Sequence, residues 1–119
     1  MTKADHDLEI VRRELNLSEE LLTDVLCYHC QQAVEKYLKT FLISKMVKPP
    51  KTHDIITLVE ECGKIDSDFE SLSDYAYMTA YASELRYADD FYLPSRAETE
   101  KAYADTVMVK KFVGDKIKI

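Results

Sequence analysis

From Asp24 to Val47 the chain reads DVLCYHCQQAVEKYLKTFLISKMV, and its apolar positions recur at three- and four-residue intervals. Leu26, Cys30, Ala33, Val34, Tyr37 and Phe41 therefore fall on one side of a 3.6-residue period, which predicts a long buried helix. Asp24, Gln31, Glu35 and Lys39 fall on the opposite, wet side, with Glu35 four residues ahead of Lys39 in the favourable order for a helical ion pair. His29, Gln32 and Lys36 border the two faces, where they either snorkel or look into a groove between helices. Pro49 and Pro50 set the limit of this helix, because each lacks a backbone donor and restricts the residue before it.

The remaining segments also show helical periods. Ala4, Leu8, Val11 and Leu15 make a stripe over Thr2 to Leu15, with Asp5, Glu9, Arg12 and Arg13 facing away. A turn follows over Asn16 to Thr23, although the long helix could begin as early as Ser18. Ile55, Leu58, Val59 and Cys62 share one side of a short third helix, capped by Thr52 or Asp54 and ended by Gly63. A polar connection from Lys64 to Asp68 leads to a fourth helix, where Ser71 and Asp74 match a capping box and Leu72, Tyr75, Thr79, Ala82 and Arg86 line up. Met78, Tyr81 and Leu85 widen that face. The segment Tyr87 to Pro94 breaks the pattern, and Ser95 with Glu98 opens a last helix carrying Ala102, Thr106, Val109, Val113 and Ile117.

Five helices with short connections predict an all-α, antiparallel up-and-down bundle, and 119 residues suit a single domain spanning 1–119. Only 2 glycines and 3 prolines are present, too few turn formers for many short strands. The formal net charge of -6 argues against sequence-independent binding to DNA or any nucleic-acid backbone while leaving room for a local basic site. Lys110, Lys111, Lys116 and Lys118 cluster near the C-terminus, where they also suit the negative end of a helix dipole. No apolar run reaches membrane-spanning length and no signal-peptide layout opens the chain, so a cytoplasmic location is expected. The 3 cysteines cannot all pair within one chain, which fits reduced thiols.

Cys27 and Cys30 form a CxxC around His29, yet structural zinc normally needs four ligands and the other candidates, Cys62, His53 and His6, lie far off in sequence. The pair reads as core, with no metal and no cofactor expected. Asp89 and Asp90 read as solvated loop carboxylates. Arg86 is the unusual residue: it continues a core-facing stripe just before a loop holding Tyr87, Asp89, Asp90, Phe91 and Tyr92. An arginine at a core edge needs acceptors, either an internal carboxylate or a bound anion such as a nucleotide.

CYHCQQAVEKYLKTFLI, KTHDI and ELRYADDFYLPSRAETEKAYADTVMVKKFV, in that order, resemble the HEPN domain, the nucleotide-binding domain of higher eukaryotes and prokaryotes. The resemblance implies a helical bundle that commonly dimerises and is often paired with a minimal nucleotidyltransferase in toxin-antitoxin or defence modules. It also implies, for many members, a metal-independent ribonuclease whose signature is R-x4-6-H, with a tyrosine after the His modified in some. Arg86 matches the Arg of that motif, but positions 91, 92 and 93 hold Phe91, Tyr92 and Leu93, so no catalytic residue is assigned. Tyr92 lies near the modified tyrosine's place, and His53 in the THD turn reads as a residue that holds the turn. The expectation is a non-catalytic, homodimeric binding module in which Arg86, Tyr87 and Tyr92, with His29, Gln32 and Lys36, receive a nucleotide, an RNA or a nucleotidyltransferase partner. Its dimer face is expected around Tyr77, Tyr81 and Leu85. The alternatives are an endoribonuclease whose proton donor is displaced to His53 or His29, and a plain scaffold in which Arg86 serves an internal ion pair.

Overall fold

The computed structural model describes residues 1–17, 22–82 and 93–117. Five helices are found among them, with no strand: α1 (Thr2–Leu17), α2 (Thr23–Ser44), α3 (Ile55–Gly63), a 3-10 helix (Ser67–Tyr81) and α4 (Arg96–Ile117). The all-α bundle is as the periodicity predicts. α2 is its axis and packs against all four other elements. The whole stripe Leu26, Cys30, Ala33, Val34, Tyr37 and Phe41 is buried, as are Ala102, Thr106, Val109 and Val113 of α4. No helix among the described residues is long and apolar enough to cross a membrane.

Four local expectations change. Gln31 and Glu35, assigned to the wet side of α2, are 0% and 5% exposed. The backbone of residues 45–54 returns along α2 and brings His53 over that face, where its Nδ1 lies 3.0 Å from the Glu35 carboxylate. Secondly, the fourth element is a 3-10 helix that starts at Ser67, capped by the Asp66 side chain accepting from the Asp68 N–H, and not an α-helix boxed by Ser71 and Asp74. The Ser71 hydroxyl donates to the Asp68 carbonyl. Runs of this type rarely exceed a few residues, because their hydrogen bonds are poorer. Here Phe69, Leu72, Tyr75, Met78 and Tyr81 follow one another at intervals of three, and a helix with three residues per turn puts all of them on one side. Phe69, Leu72, Met78 and Tyr81 are buried and Tyr75 packs against the core.

Thirdly, α2 stops at Ser44, short of Val47. The Met46 N–H donates to the Ile43 carbonyl and the Val47 N–H to the Leu42 carbonyl, which is the paired pattern of a Schellman cap. Met46 takes the left-handed position of that cap at φ 60°, where glycine is the usual occupant. Fourthly, α3 ends at Gly63 as expected, but the C-cap Lys64 keeps ordinary right-handed geometry and the glycine takes no left-handed position there. Its start is capped as expected: the Asp54 side chain accepts from the Ile56 N–H, and Thr52 Oγ1 accepts from the Asp54 N–H. Ser95 Oγ likewise accepts from the Glu98 N–H at 3.0 Å and opens α4.

Of the apolar face expected around Tyr77 and Tyr81, Tyr81 is buried and Tyr77 is partly buried. Tyr77 donates its hydroxyl to Asp105 at 2.5 Å and Tyr81 donates to Glu98, both on α4. Leu85 lies outside the described residues.

Candidate functional site

Two carboxylates organise the polar groups of α2. Asp7 of α1 is only 8% exposed. It stands in register with Ala4, Leu8 and Val11, so the α1 stripe carries it into the α1–α2 seam. One of its oxygens lies 2.9 Å from His29 Nδ1 and the other accepts from Lys36 Nζ at 2.5 Å. Tyr37, buried and next to Lys36 in α2, donates to Asp5 at 2.5 Å, and Lys110 of α4 adds an ion pair to the same Asp5 oxygen. The α1 acids thus include partners of α2, where the sequence pattern had turned Asp5 outward.

Glu35 is the second hub. It accepts from Gln31 Nε2 at 2.8 Å and from Lys39 Nζ at 2.8 Å, and it faces His53 Nδ1. Gln31 also reaches the His53 carbonyl at 3.5 Å, and Gln32 Nε2 donates to Gln31 Oε1 at 2.9 Å. Burial works to raise the Glu35 pKa, but the hydrogen bonds from Lys39, His53 and Gln31 outweigh it and hold the carboxyl below its usual value. Both imidazoles consequently have Nδ1 on a carboxylate. That arrangement fixes the ring and leaves Nε2 as the nitrogen available to exchange a proton. The His53 ring is largely exposed, whereas that of His29 is mostly covered.

The candidates His29, Gln32 and Lys36 are therefore all anchored by groups of their own chain. Lys36 in particular meets a full negative charge on Asp7, which offsets its attraction for an outside anion. Arg86, Tyr87 and Tyr92 lie outside the described residues, and so do Asp89, Asp90 and Phe91. Ala82 and Leu93 flank that segment. Near Ala82 the Tyr81 hydroxyl is bonded to Glu98, and Cys27 Sγ is 3.6 Å from Thr99 Oγ1.

The CxxC does not present a paired-thiol site. Cys27 faces Thr99, Cys30 lies against Thr106 of α4, and Cys62 Sγ faces the Leu38 carbonyl at 3.6 Å. All three are buried and free, and burial pushes the Cys30 and Cys62 thiols up to about 12. Among the described residues no group of three or more His, Cys, Asp or Glu side chains is placed to hold a metal ion.

Sequence reasoning missed Asp7, although an acid in register with Ala4, Leu8 and Val11 was the available signal. It also missed Gln31 as a buried residue. Comparison with curated proteins and with solved structures gives no match. The family model of the HEPN domain matches residues 1–117, almost the whole chain and every described helix. The chain belongs to the HEPN domain family.

Proposed function

We propose that this protein is a non-catalytic HEPN module, a homodimer whose region around Arg86, Tyr87 and Tyr92 receives a nucleotide or a minimal nucleotidyltransferase partner in a toxin-antitoxin or defence setting. Family membership supports a nucleotide-binding or ribonuclease-type module. The observation that carries the non-catalytic reading is the sequence after Arg86, where Phe91, Tyr92 and Leu93 stand at every position the ribonuclease motif allows for its His. A positioned acid or base typically contributes about 10²- to 10⁴-fold to such a reaction, and the Phe91 and Leu93 side chains carry no proton to transfer. Arg86 stays protonated and can hold an anion but is a poor base. What survives the loss of the His is a binding site.

The test is a pair of assays on purified protein. Arg86→Ala should weaken nucleotide or partner binding by about 1.5 to 3 kcal/mol, the scale of a charge-assisted hydrogen bond, with the bundle still folded. The wild type should leave single-stranded RNA intact without metal. Cleavage that Arg86→Ala abolishes would sink this reading. A change in folding stability with unaltered binding would instead make Arg86 part of an internal ion pair.

One observation favours a second reading, a ribonuclease with a displaced proton donor. His53 and His29 each have Nδ1 on a carboxylate, an arrangement that orients an imidazole with Nε2 outward. If cleavage is found, loss of activity in His53→Gln or in His29→Gln identifies which imidazole supplies the proton.

A further inference from the structure

α1 and α4 run antiparallel: Arg96 donates to the Leu15 carbonyl, Lys110 pairs with Asp5, and Gly114 lies beside Met1. Between the two helices is an open groove of about 550 Å³, a size that suits a small organic molecule. Its lining runs along α4 from Tyr103 to Asp115, about 18 Å at a rise of 1.5 Å per residue, so the space is long and narrow. Leu8, almost fully buried, Val107, 38% exposed, and Tyr103, packed against the core, give it apolar walls. None of its lining residues belongs to the Glu35 cluster or to the end of the bundle marked by Ala82 and Leu93.

Gly114 lies in the wall of this groove and within α4. Its φ is not positive, and a Cβ added there would meet nothing nearer than the Met1 methyl at 3.8 Å, an ordinary contact. Neither backbone nor packing therefore demands a glycine, which only proline exceeds in cost inside a helix. The missing side chain leaves bare α4 backbone facing the groove, which permits close approach by a ligand.

The polar groups show which ligand the groove suits. Tyr37, Tyr77 and Tyr81 each give their hydroxyl to a carboxylate, whereas Tyr103 makes no hydrogen bond among the described residues. The Tyr103 oxygen is near enough to act on the Arg12 guanidinium. Arg12 and Arg13 share the single carboxylate of Glu9, which leaves one positive charge in excess beside that free hydroxyl. Further along, Lys110 is balanced by Asp5, and the charge of Lys111 by that of Asp115. The groove thus has an anion-accepting end and an apolar length.

We propose that the α1–α4 groove binds a straight-chain aliphatic monocarboxylate, its head group at Arg12 and Tyr103 and its tail along Leu8 and Val107 to the bare backbone at Gly114. One excess charge matches one carboxylate, and bonds to it from the arginine and the hydroxyl are charge-assisted. A nucleotide polyphosphate fits less well, because its several charges meet Asp5, Glu9 and Asp115. The inference is independent of the Arg86 reading.

Isothermal titration calorimetry of the full chain with decanoate, 1-decanol and ATP at low salt tests it. Decanoate should bind at one site per chain, at least tenfold more tightly than 1-decanol. Gly114→Leu should weaken decanoate tenfold or more by filling the groove. Gly114→Ala should weaken it less and leave the melting temperature equal or higher, which keeps the test valid if the leucine variant does not fold. Arg12→Gln and Tyr103→Phe should each weaken decanoate about threefold to tenfold and leave 1-decanol unchanged, a split that a merely structural role would not produce. Met46→Ser, at an exposed apolar residue outside the groove, should change nothing. Absence of decanoate binding at millimolar concentration would overturn the proposal, as would binding indifferent to Gly114 and Arg12 or lost in Met46→Ser. Equal affinity for 1-decanol would overturn the acid as the ligand class. ATP binding more tightly than decanoate and weakened by both Gly114 variants would assign the groove to a polyanion and overturn it too.

Discussion

Replacing Glu35 with glutamine keeps the shape of the side chain and removes its charge, so it isolates what the carboxylate contributes at the centre of the polar face of α2. Glu35 accepts from Gln31, Lys39 and His53. Gln31 is fully buried and keeps an amide oxygen to bond, so that contact changes little. The bonds from Lys39 and His53 lose their charged acceptor, and a bond to a charged group is worth roughly 1 kcal/mol more than a neutral one. Two such bonds give about 2 kcal/mol, reduced toward about 1.5 kcal/mol because the His53 ring is largely exposed and screened. Urea unfolding at pH 7 should show this loss, with faster amide exchange at Ile56 and Thr57 where the turn enters α3. The pH dependence fixes the cause. Glu35 has a folded pKa below its usual 4.5, so its stabilisation is complete above about 4.5 and disappears as pH falls through the folded value. The gap between wild type and Glu35→Gln should therefore be full at pH 7, shrink below pH 4.5 and close once the wild-type carboxyl is protonated. A gap under about 0.5 kcal/mol at pH 7, or one that persists undiminished at the lowest pH where both chains fold, would refute the reasoning.

Three other outcomes are expected. Phe69→Ala should cost about 4 kcal/mol in chemical denaturation, since the ring is fully buried with its centroid 4.2 Å from that of Phe41 and 5.0 Å from that of Phe112. Cys30 and Cys62, with thiols pushed up to about 12, should be silent to a thiol reagent at pH 8 in the folded protein, and titrate only on unfolding. Ser95→Ala removes the acceptor for the Glu98 N–H and should lower stability by about 1 kcal/mol, seen as a drop in melting temperature.

What was legible in the sequence follows from what periodicity can encode. The stripes of α2 and α4 were readable because those helices bury one continuous face with a 3.6-residue repeat, and the Ser95 cap because its donor and acceptor lie three residues apart. The 3-10 helix was misread because Leu72 and Tyr75 fit a repeat of three and one of 3.6 equally well. Only adding Phe69, Met78 and Tyr81 separates the two. Gln31 and Glu35 were misplaced for a different reason. Periodicity says which residues share a side of a helix, not whether a loop from elsewhere will cover that side, and residues 45–54 do cover it. The burial of Asp7 was available in its register and could have been read from the stripe.

Two parts of the resemblance, QQAVEK and THD, turn out to be one fastening. Gln31 and Glu35 hold His53, Gln32 holds Gln31, and Lys36 ties α2 to Asp7 of α1. A buried polar cluster must satisfy all its members at once, because each lost partner leaves a desolvated group behind. Changing Gln31, Glu35 or His53 therefore strands another member, and the pattern these residues make is a constraint of folding. It follows that this part of the likeness argues for the bundle and carries little information about activity. Under the function proposed above, activity turns instead on the residues after Arg86, where Phe91, Tyr92 and Leu93 stand at the positions the motif allows for its His. Transplanting a His to position 91 is the corresponding experiment. Phe91→His restores the spacing of the motif, and if the lost His is what removed catalysis, this variant should gain metal-independent RNA cleavage that Arg86→Ala then abolishes. A folded Phe91→His protein that leaves RNA intact, together with folded Tyr92→His and Leu93→His proteins that do the same, would show that more than one proton donor separates this chain from a nuclease.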